Sequence, residues 1–317
     1  MTRLLTAVFA LIILSASAVA CATPDNSDPK TLTVGFVVDP SWAQIPVAER
    51  EGYFDKHGVK VKVVAFPSGI EALQALAAHQ LDVTTAADVP TAATLTRSPS
   101  LRVIGDGSRW QGSRIVARRS AGITSTENLA GRSIGTPLGT SAAYFASNAL
   151  SDSKIDAKLT QVAPQAMVTA ATQHNVDAVS IFQPYQAQVV AALGGDAVEL
   201  SGGTYNQHSL YLTTDTSAAR KSEALTAFLA ALGDAGTQLT QRSAPAVSAV
   251  AEATQLDPGL LEKILPEFDF TMQLPPDLPD TLTTLANWGK TQGSIESSTQ
   301  LPNYGDLIDG TFLNPAK

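Results

Sequence analysis

Three predicted helix starts place small residues directly after a strand: Ser68-Gly69, Asp88-Val89 and Gly139-Thr140-Ser141. Free backbone N–H groups and the positive end of the helix dipole make such places natural sites for an oxyanion. A single Ser or Asp there is also an ordinary helix cap. Three in the same topological position say more, because ligands of open α/β sheets bind beyond the carboxyl ends of the strands. Aromatic residues cluster in the same loops: Trp42, Trp110, Tyr144, Phe182, Tyr185 and Tyr205. Only 6% of the chain is aromatic, so this placement suggests the lining of a cleft. Trp42 and Trp110 stand out because turn-forming or polar residues flank them.

Catalytic patterns are missing. GTPLGTS, from Gly135 to Ser141, lacks the lysine of a phosphate-binding loop, and Ala143 stands where a nucleophile elbow at Ser141 needs glycine. The four histidines, His57, His79, His174 and His208, have no metal-ligand spacing, and the only cysteine is Cys21. The chain therefore offers no catalytic residue, no metal set and no cofactor fingerprint, and reads as a binder. One cysteine also excludes an internal disulfide.

The elements that must position these residues repeat. Ser68 to Pro90 holds a helix start, a helix stop at His79, a strand over 81–87 and a second helix start. Ser68 with Glu71 fits a capping box, and Ile70, Leu73, Leu76 and Ala77 make one apolar face. Ala163 to Tyr185 superposes on this stretch, with His174 on His79 and Asp177 on Asp82, which predicts two similar lobes. Both histidines read as turn residues that tolerate a left-handed backbone. Around them, strands over 31–37, 59–66, 101–104, 113–117, 132–135, 197–200 and 209–213 alternate with helices, including one over 45–56 ended by Gly58. Thr124 with Glu127 caps a short helix before Gly131. The alternation predicts βαβ units around mainly parallel sheets.

From Ala218 onward the chain is rich in Ala and Leu, with helices expected over 218–240, 244–254, 258–264 and 282–290 and no strand between them. Such helices most economically pack back on the first lobe. The expected fold is α/β with two lobes joined by two hinge crossovers: residues 31–117 with 209–317 as lobe I, and 118–208 as lobe II.

At 317 residues, 44% apolar and 16% charged, the chain suits two globular lobes. Residues 1–20 differ: Arg3 is their only charge and Leu4 to Leu14 is nearly all apolar, too short for a membrane span, so an export signal is expected. Cys21 after Ala18-Val19-Ala20 resembles a bacterial lipobox, with Ala18 in place of the usual leucine, and lipidation of Cys21 is expected. Residues 22–30 then form a polar tether. Removing the signal shifts the formal charge from −8 to −9, a poor match for nucleic acid.

A family resemblance follows from WAQIPVAEREGYFDKHGVKVKVVAFPSGIEALQALAAHQLDV, ADVP at 87–90, STENLAGRSIGTPLGTSAAYF, VDAVSIFQPY and YGDLIDGTFL. As a set, covering about Thr31 to Leu313, they resemble the substrate-binding proteins of the nitrate, sulfonate and taurine class that feed ABC importers. The resemblance implies a two-lobed periplasmic-binding-protein fold that closes on its ligand, with an ABC permease and ATPase as partners and the receptor a monomer. By position it implies ligand contacts from Ser41, Trp42, Ser68, Gly69, Asp88, Val89, Thr140, Ser141, Phe182 and Gln183, to which Trp110 and Tyr205 add from the aromatic argument. Phe182 and Gln183 replace the family's usual Trp and Glu, and His79 and His174 replace glycine. No arginine falls at a matching position, Arg109 being the nearest. The function expected is capture of a small organic anion, a sulfonate, taurine or a nitrate-like ion, by a lipid-anchored receptor. The alternatives are a thiamine-pyrimidine or other heterocycle binder, and, from another class, a pyrimidine-synthase-like enzyme or a sensor ectodomain.

Overall fold

The computed structural model of the chain describes residues 28–200 and 204–313. The expected export signal, Cys21 and residues 22–27 of the tether lie outside the described residues.

The first lobe opens with β1 (Thr31–Val37), α1 (Gln44–Arg50), α2 (Tyr53–Lys56), β2 (Lys60–Phe66), α3 (Gly69–Ala77), β3 (Val83–Ala87), α4 (Asp88–Leu95) and β4 (Leu101–Trp110). The single helix expected over 45–56 is two, because Gly52 takes φ 70° and a left-handed residue cannot continue the helical ladder. β4 runs six residues beyond its expected end. In that extension Asp106, Ser108 and Arg109 pair with strands arriving from far along the chain and are buried.

The second lobe contains β5 (Ile115–Arg118), β6 (Ser133–Thr136), α5 (Ser141–Asp152), β7 (Lys158–Gln161), α6 (Met167–Thr172), β8 (Ala178–Ser180), α7 (Tyr185–Leu193) and β9 (Ala197–Leu200). The chain then returns through β10 (Gln207–Thr214), α8 (Asp215–Arg220), α9 (Ser222–Thr240), α10 (Ala244–Thr254), α11 (Pro258–Ile264), β11 (Phe268–Asp269) and α12 (Leu278–Thr291). Pro279 sits in the first turn of α12, where its missing N–H costs nothing, so the last helix starts earlier than expected.

Two sheets result, in the orders β11-β4-β10-β3-β1-β2 and β7-β6-β8-β5-β9. β1, β2 and β3 are parallel, as are β6, β7 and β8, while β10 and β5 run against their neighbours. The crossovers lie between Trp110 and Ile115 and between Leu200 and Gln207. β5 pairs with β8 and β9, so Ile115 to Ala117 belong with the second sheet rather than the first. Gln207 and His208 pair with Trp110 and Arg109, so they belong with the first.

Each sheet is buried on both faces. On β5, Ile115 and Ala117 enter one core with Phe145 and Ala149 of α5, and Val116 enters the other with Met167 of α6 and Val189 of α7, as the period-2 alternation of a strand requires. In the first lobe, Leu225, Phe228, Leu229 and Leu232 of α9 join Leu32, Val34 and Phe36 of β1. α12 covers the opposite face with Leu282 and Leu285 against Leu73 and Leu76 of α3 and Val89 and Leu95 of α4. The C-terminal helices thus return to the first sheet.

The internal repeat is structural. Asp82 accepts from the Thr33 backbone N–H at 2.8 Å, tying the start of β3 to β1. Asp177 accepts from the Ser133 N–H at 2.9 Å, tying the start of β8 to β6 in the same way. His79 and His174 precede them with φ 56° and 62°, the left-handed turn expected of both. Two caps differ from expectation. Ser68 precedes α3 but its hydroxyl donates to the Glu71 carboxylate at 3.3 Å, so no reciprocal box forms. The box expected at Thr124 and Glu127 is instead made by Ser125 and Asn128. On α3 the buried face is Ala72, Leu73, Ala75 and Leu76, with Ala77 exposed and Ile70 only half-buried.

Asp82 is also held by Lys221, whose Nζ lies 2.9 Å from Oδ2 with both side chains 7% exposed. Its counterpart, Arg132 with Asp177, is far more open, at 42% and 29%. Lys221→Met leaves a carboxylate buried without its cation and should cost ~3–5 kcal/mol in urea unfolding, whereas Arg132→Ala should cost ~1 kcal/mol or less. Equal losses would contradict this reading of the two pairs.

Candidate ligand-binding cleft

Where the carboxyl ends of the central strands of the two sheets face each other, a cavity is lined by Val37, Asp39, Trp42, Gly69, Ala87, Pro90, Thr140, Ser141, Phe182 and Gln207. Its volume is about 20 Å³. That is room for about one water, so admitting a solute requires the lobes to part.

Five of the residues expected from sequence line this cavity: Trp42, Gly69, Thr140, Ser141 and Phe182. Several others stand behind the wall. Ser41 is fully buried and its hydroxyl accepts from Gln207 Nε2 at 3.4 Å. Ser68 flanks Gly69, and Val89 packs into the core of the first lobe. Gln183 spends its carbonyl on the Ala187 N–H at 3.2 Å, at the start of α7. Trp110 is a core residue rather than a cleft residue. It is 1% exposed, stacks on Phe268 at 5.6 Å and donates from Nε1 to Glu267 at 3.2 Å. Its polar neighbours suggested a loop because Phe268 reaches it only through β11. Arg109 likewise does not serve the cleft: its guanidinium pairs with Asp106 at 3.4 Å and Asp269 at 2.8 Å and donates to the Thr271 carbonyl at 2.7 Å.

The three helix starts are not equivalent. At α4 the Val89 N–H donates to the Asp88 carboxylate at 2.8 Å, so this helix carries its own anion. Among the described residues no side chain caps the first-turn N–H groups of α3 or α5, and the Thr140 hydroxyl turns away to the Pro137 carbonyl at 2.6 Å. Both uncapped starts border the cavity, through Gly69 and through Thr140 and Ser141. They are the positions where backbone donors and dipole can meet an oxyanion.

Two polar residues on the wall, Asp39 and Gln207, were not singled out from sequence. Asp39 is 2% exposed, and its carboxylate accepts from the Ser41 N–H at 2.7 Å. Among the described residues no cation pairs with it. Burial pushes its pKa up to about 7, and the Ser41 backbone and hydroxyl pull it back only in part. On the same turn, the Trp42 indole N–H is buried with no partner among the described residues. An acceptor and a donor therefore adjoin on one short turn, each with unused capacity. The signal for Asp39 was Asp39-Pro40-Ser41 directly after a buried strand, the pattern of an Asx turn. Gln207 left no such signal.

Asp88 and Tyr205, expected at the ligand, meet each other at the lobe junction. The Tyr205 hydroxyl donates a short hydrogen bond to Asp88 Oδ1, Ser141 Oγ donates to the same oxygen at 3.2 Å, and the His208 N–H donates to Oδ2 at 3.1 Å. Burial raises the Asp88 pKa, with the His208 charge, the Tyr205 hydroxyl and the His208 and Val89 N–H groups acting against it. His208 turns its ring from the cleft to Asp106, 2.7 Å from Nδ1. Burial lowers its pKa, but the Asp106 hydrogen bond and charge outweigh that and the net shift is upward.

The raised pKa of Asp39 has a fixed sign in stability. Between its unfolded value of 3.8 and about 7 the folded chain keeps a proton that the unfolded chain has released. This contribution therefore falls as pH rises through that window, by ~4 kcal/mol in all at ~1.4 kcal/mol per pKa unit, and does not return above it. Asp39→Asn should unfold at higher urea than the native chain at pH 8, with the gap closing toward pH 4. A gap independent of pH would contradict a neutral Asp39 in the folded state.

Three comparisons bear on this arrangement. The sequence profile of the NMT1-like family matches residues 25–254. A protein of Bacillus subtilis (strain 168) named for binding aliphatic sulfonates is 28% identical over 174 residues, a match that spans about half of either protein, 52% of this chain and 51% of the relative. Among solved structures, the periplasmic aliphatic sulphonate binding protein of Escherichia coli superposes with a TM-score of 0.75 at 19% identity, covering 89% of this chain and 92% of its own. The alkanesulfonate-binding protein of Xanthomonas axonopodis pv. citri, bound to MOPS, does so at 0.76 and 19%, covering 89% and 99%. The desulfurization enzyme DSZB shares the fold at 0.65 and 16% identity, covering 90% and 98%. With two α/β lobes joined by two crossovers and most of its length matched, the chain belongs to the NMT1-like family and has the periplasmic-binding-protein fold.

Proposed function

We propose that the chain is the exported solute receptor of an ABC importer, and that its ligand is a small sulfonate-type oxyanion that also carries an amine or comparable donor, as taurine does. One observation carries this reading. Two uncapped helix starts border a cavity whose wall also holds a buried carboxyl with no cation partner among the described residues. The anionic end of the ligand would sit on the N–H groups at Gly69 and at Thr140 and Ser141. The donor end would meet Asp39, with Trp42 and Phe182 flanking the carbon chain. A plain alkanesulfonate would meet the same helix starts and leave Asp39 unanswered. Relatives named for sulfonates support the anionic half of the reading.

The lobes would be divided at the two crossovers, and their opening and closing would capture and release the ligand. A permease and an ATPase would be the partners, with the receptor a monomer anchored through lipidated Cys21. A binding role is supported by the relatives named for binding sulfonates.

The second reading, an aminopyrimidine or similar heterocycle, is favoured by the neighbouring acceptor and donor of Asp39 and Trp42. That pair matches a flat ring edge with adjacent N–H and ring nitrogen. Thermal-shift measurements on the full chain separate the two, because a ligand raises the melting temperature by mass action. Taurine-like aminosulfonates should give the largest shift, plain alkanesulfonates a smaller one and nitrate the least. A shift with aminopyrimidines alone would overturn the sulfonate reading. Mass spectrometry of the mature chain should find Cys21 first and diacylated, and an unmodified thiol would remove the anchor.

A further inference from the structure

Helix α5 touches both lobes, and it does so with a single stripe. Ser141, Tyr144 and Ser147 follow one another at three-residue spacing, so they lie along one face of the helix. All three reach groups of the first lobe or of the returning crossover. Ser141 Oγ donates to Asp88 at 3.2 Å. The Tyr144 ring meets Tyr205 edge-on at 5.0 Å and Trp288 edge-on at 5.2 Å. Ser147 Oγ accepts from Trp288 Nε1 at 3.2 Å. Tyr205, from the crossover, completes the set by donating to Asp88.

We propose that Asp88, Ser141 and Tyr205, with Tyr144, Ser147 and Trp288, form a latch between the lobes whose side chains set the closed position of the cleft and do not contact the ligand. The stoichiometry of Asp88 argues for this. Its two oxygens accept four hydrogen bonds, from the Val89 N–H, the His208 N–H, Ser141 and Tyr205. Oδ1 accepts three of these bonds and Oδ2 one, and Asp88 is fully buried and does not line the cavity, so a ligand in the cavity does not touch it. The two side-chain donors come from the second lobe and the crossover, so they are the bonds that opening must break. Thr140 makes no side-chain cap to the first-turn N–H groups of α5, which leaves those groups for the cavity, so one helix serves both tasks from different atoms.

The latch requires no ligand, so its test is made without one and stands whether or not the proposed solute is right. Lys62 on β2 and Lys158 on β7 are exposed and lie on the sheet-edge strands farthest from the crossovers, where opening moves the chain most. Spin labels at Lys62→Cys and Lys158→Cys in the full chain, with Cys21→Ser, report the lobe separation by double electron–electron resonance. Tyr205→Phe removes one hydroxyl and keeps the ring, and Ser141→Ala removes the other donor. Each should lower the closed-to-open ratio about fivefold, the weight of one hydrogen bond, and lengthen the label distance, with circular dichroism unchanged. A longer distance in either variant supports the latch. Distributions identical to that of the native chain in both would overturn it.

Discussion

A carboxyl group cannot be left bare in a dry interface, and Asp88 is entirely buried where the lobes meet. Its desolvation must be offset by donors, at ~1–3 kcal/mol for each group left unsatisfied. Those donors come from the start of α4, the start of β10, the second crossover and the start of α5. The requirement fixes where four separate segments end. The first lobe supplies the acceptor and two backbone bonds, so the site exists within that lobe alone. The crossover and the second lobe complete it only when the cleft is shut.

The same accounting separates closure from recognition. The Asp88 carboxylate, the Gln183 carbonyl, the Arg109 guanidinium and His208 Nδ1 are engaged within the protein. Among the described residues, hydrogen-bonding capacity is unspent at Asp39, at the Trp42 indole and at the first turns of α3 and α5. A ligand gains most from groups whose water it replaces without breaking protein bonds. The cleft therefore offers backbone donors and dipoles for a negative charge and an isolated carboxyl for a positive one. With the carboxyl pushed up to about 7 by burial, its charge state is poised to change when a cation arrives.

Much of the fold was legible because its signals are local. β1, β9, α10 and α11 fall at their expected residues: strands of apolar and β-branched runs, and helices opened by Ser243 and by Asp257 with Pro just inside each start. The repeat was legible through His79, Asp82, His174 and Asp177, since turn and strand-start chemistry leaves a fixed spacing. What escaped was decided by distant partners. The polar end of β4 resembles a loop until β10 and β11 cover it, and Trp110 resembles a cleft residue until Phe268 stacks on it. Asp88 was readable as a helix start. Its role at the junction depends on Tyr205, 117 positions away, which no local pattern announces. Asp39 was readable as a turn residue, but its isolation depends on which cations the fold keeps elsewhere.

The proposed recognition depends most on Asp39 meeting a positive group of the ligand. Titration calorimetry of the full chain with taurine at pH 7, in two buffers of different ionisation heat, measures the protons exchanged on binding. A carboxyl with a pKa of about 7 is half protonated there, and a bound ammonium would hold it charged, so the account predicts release of ~0.5 proton per ligand and none in Asp39→Asn. Taurine binding with no proton release, or with the same release in Asp39→Asn, would contradict it.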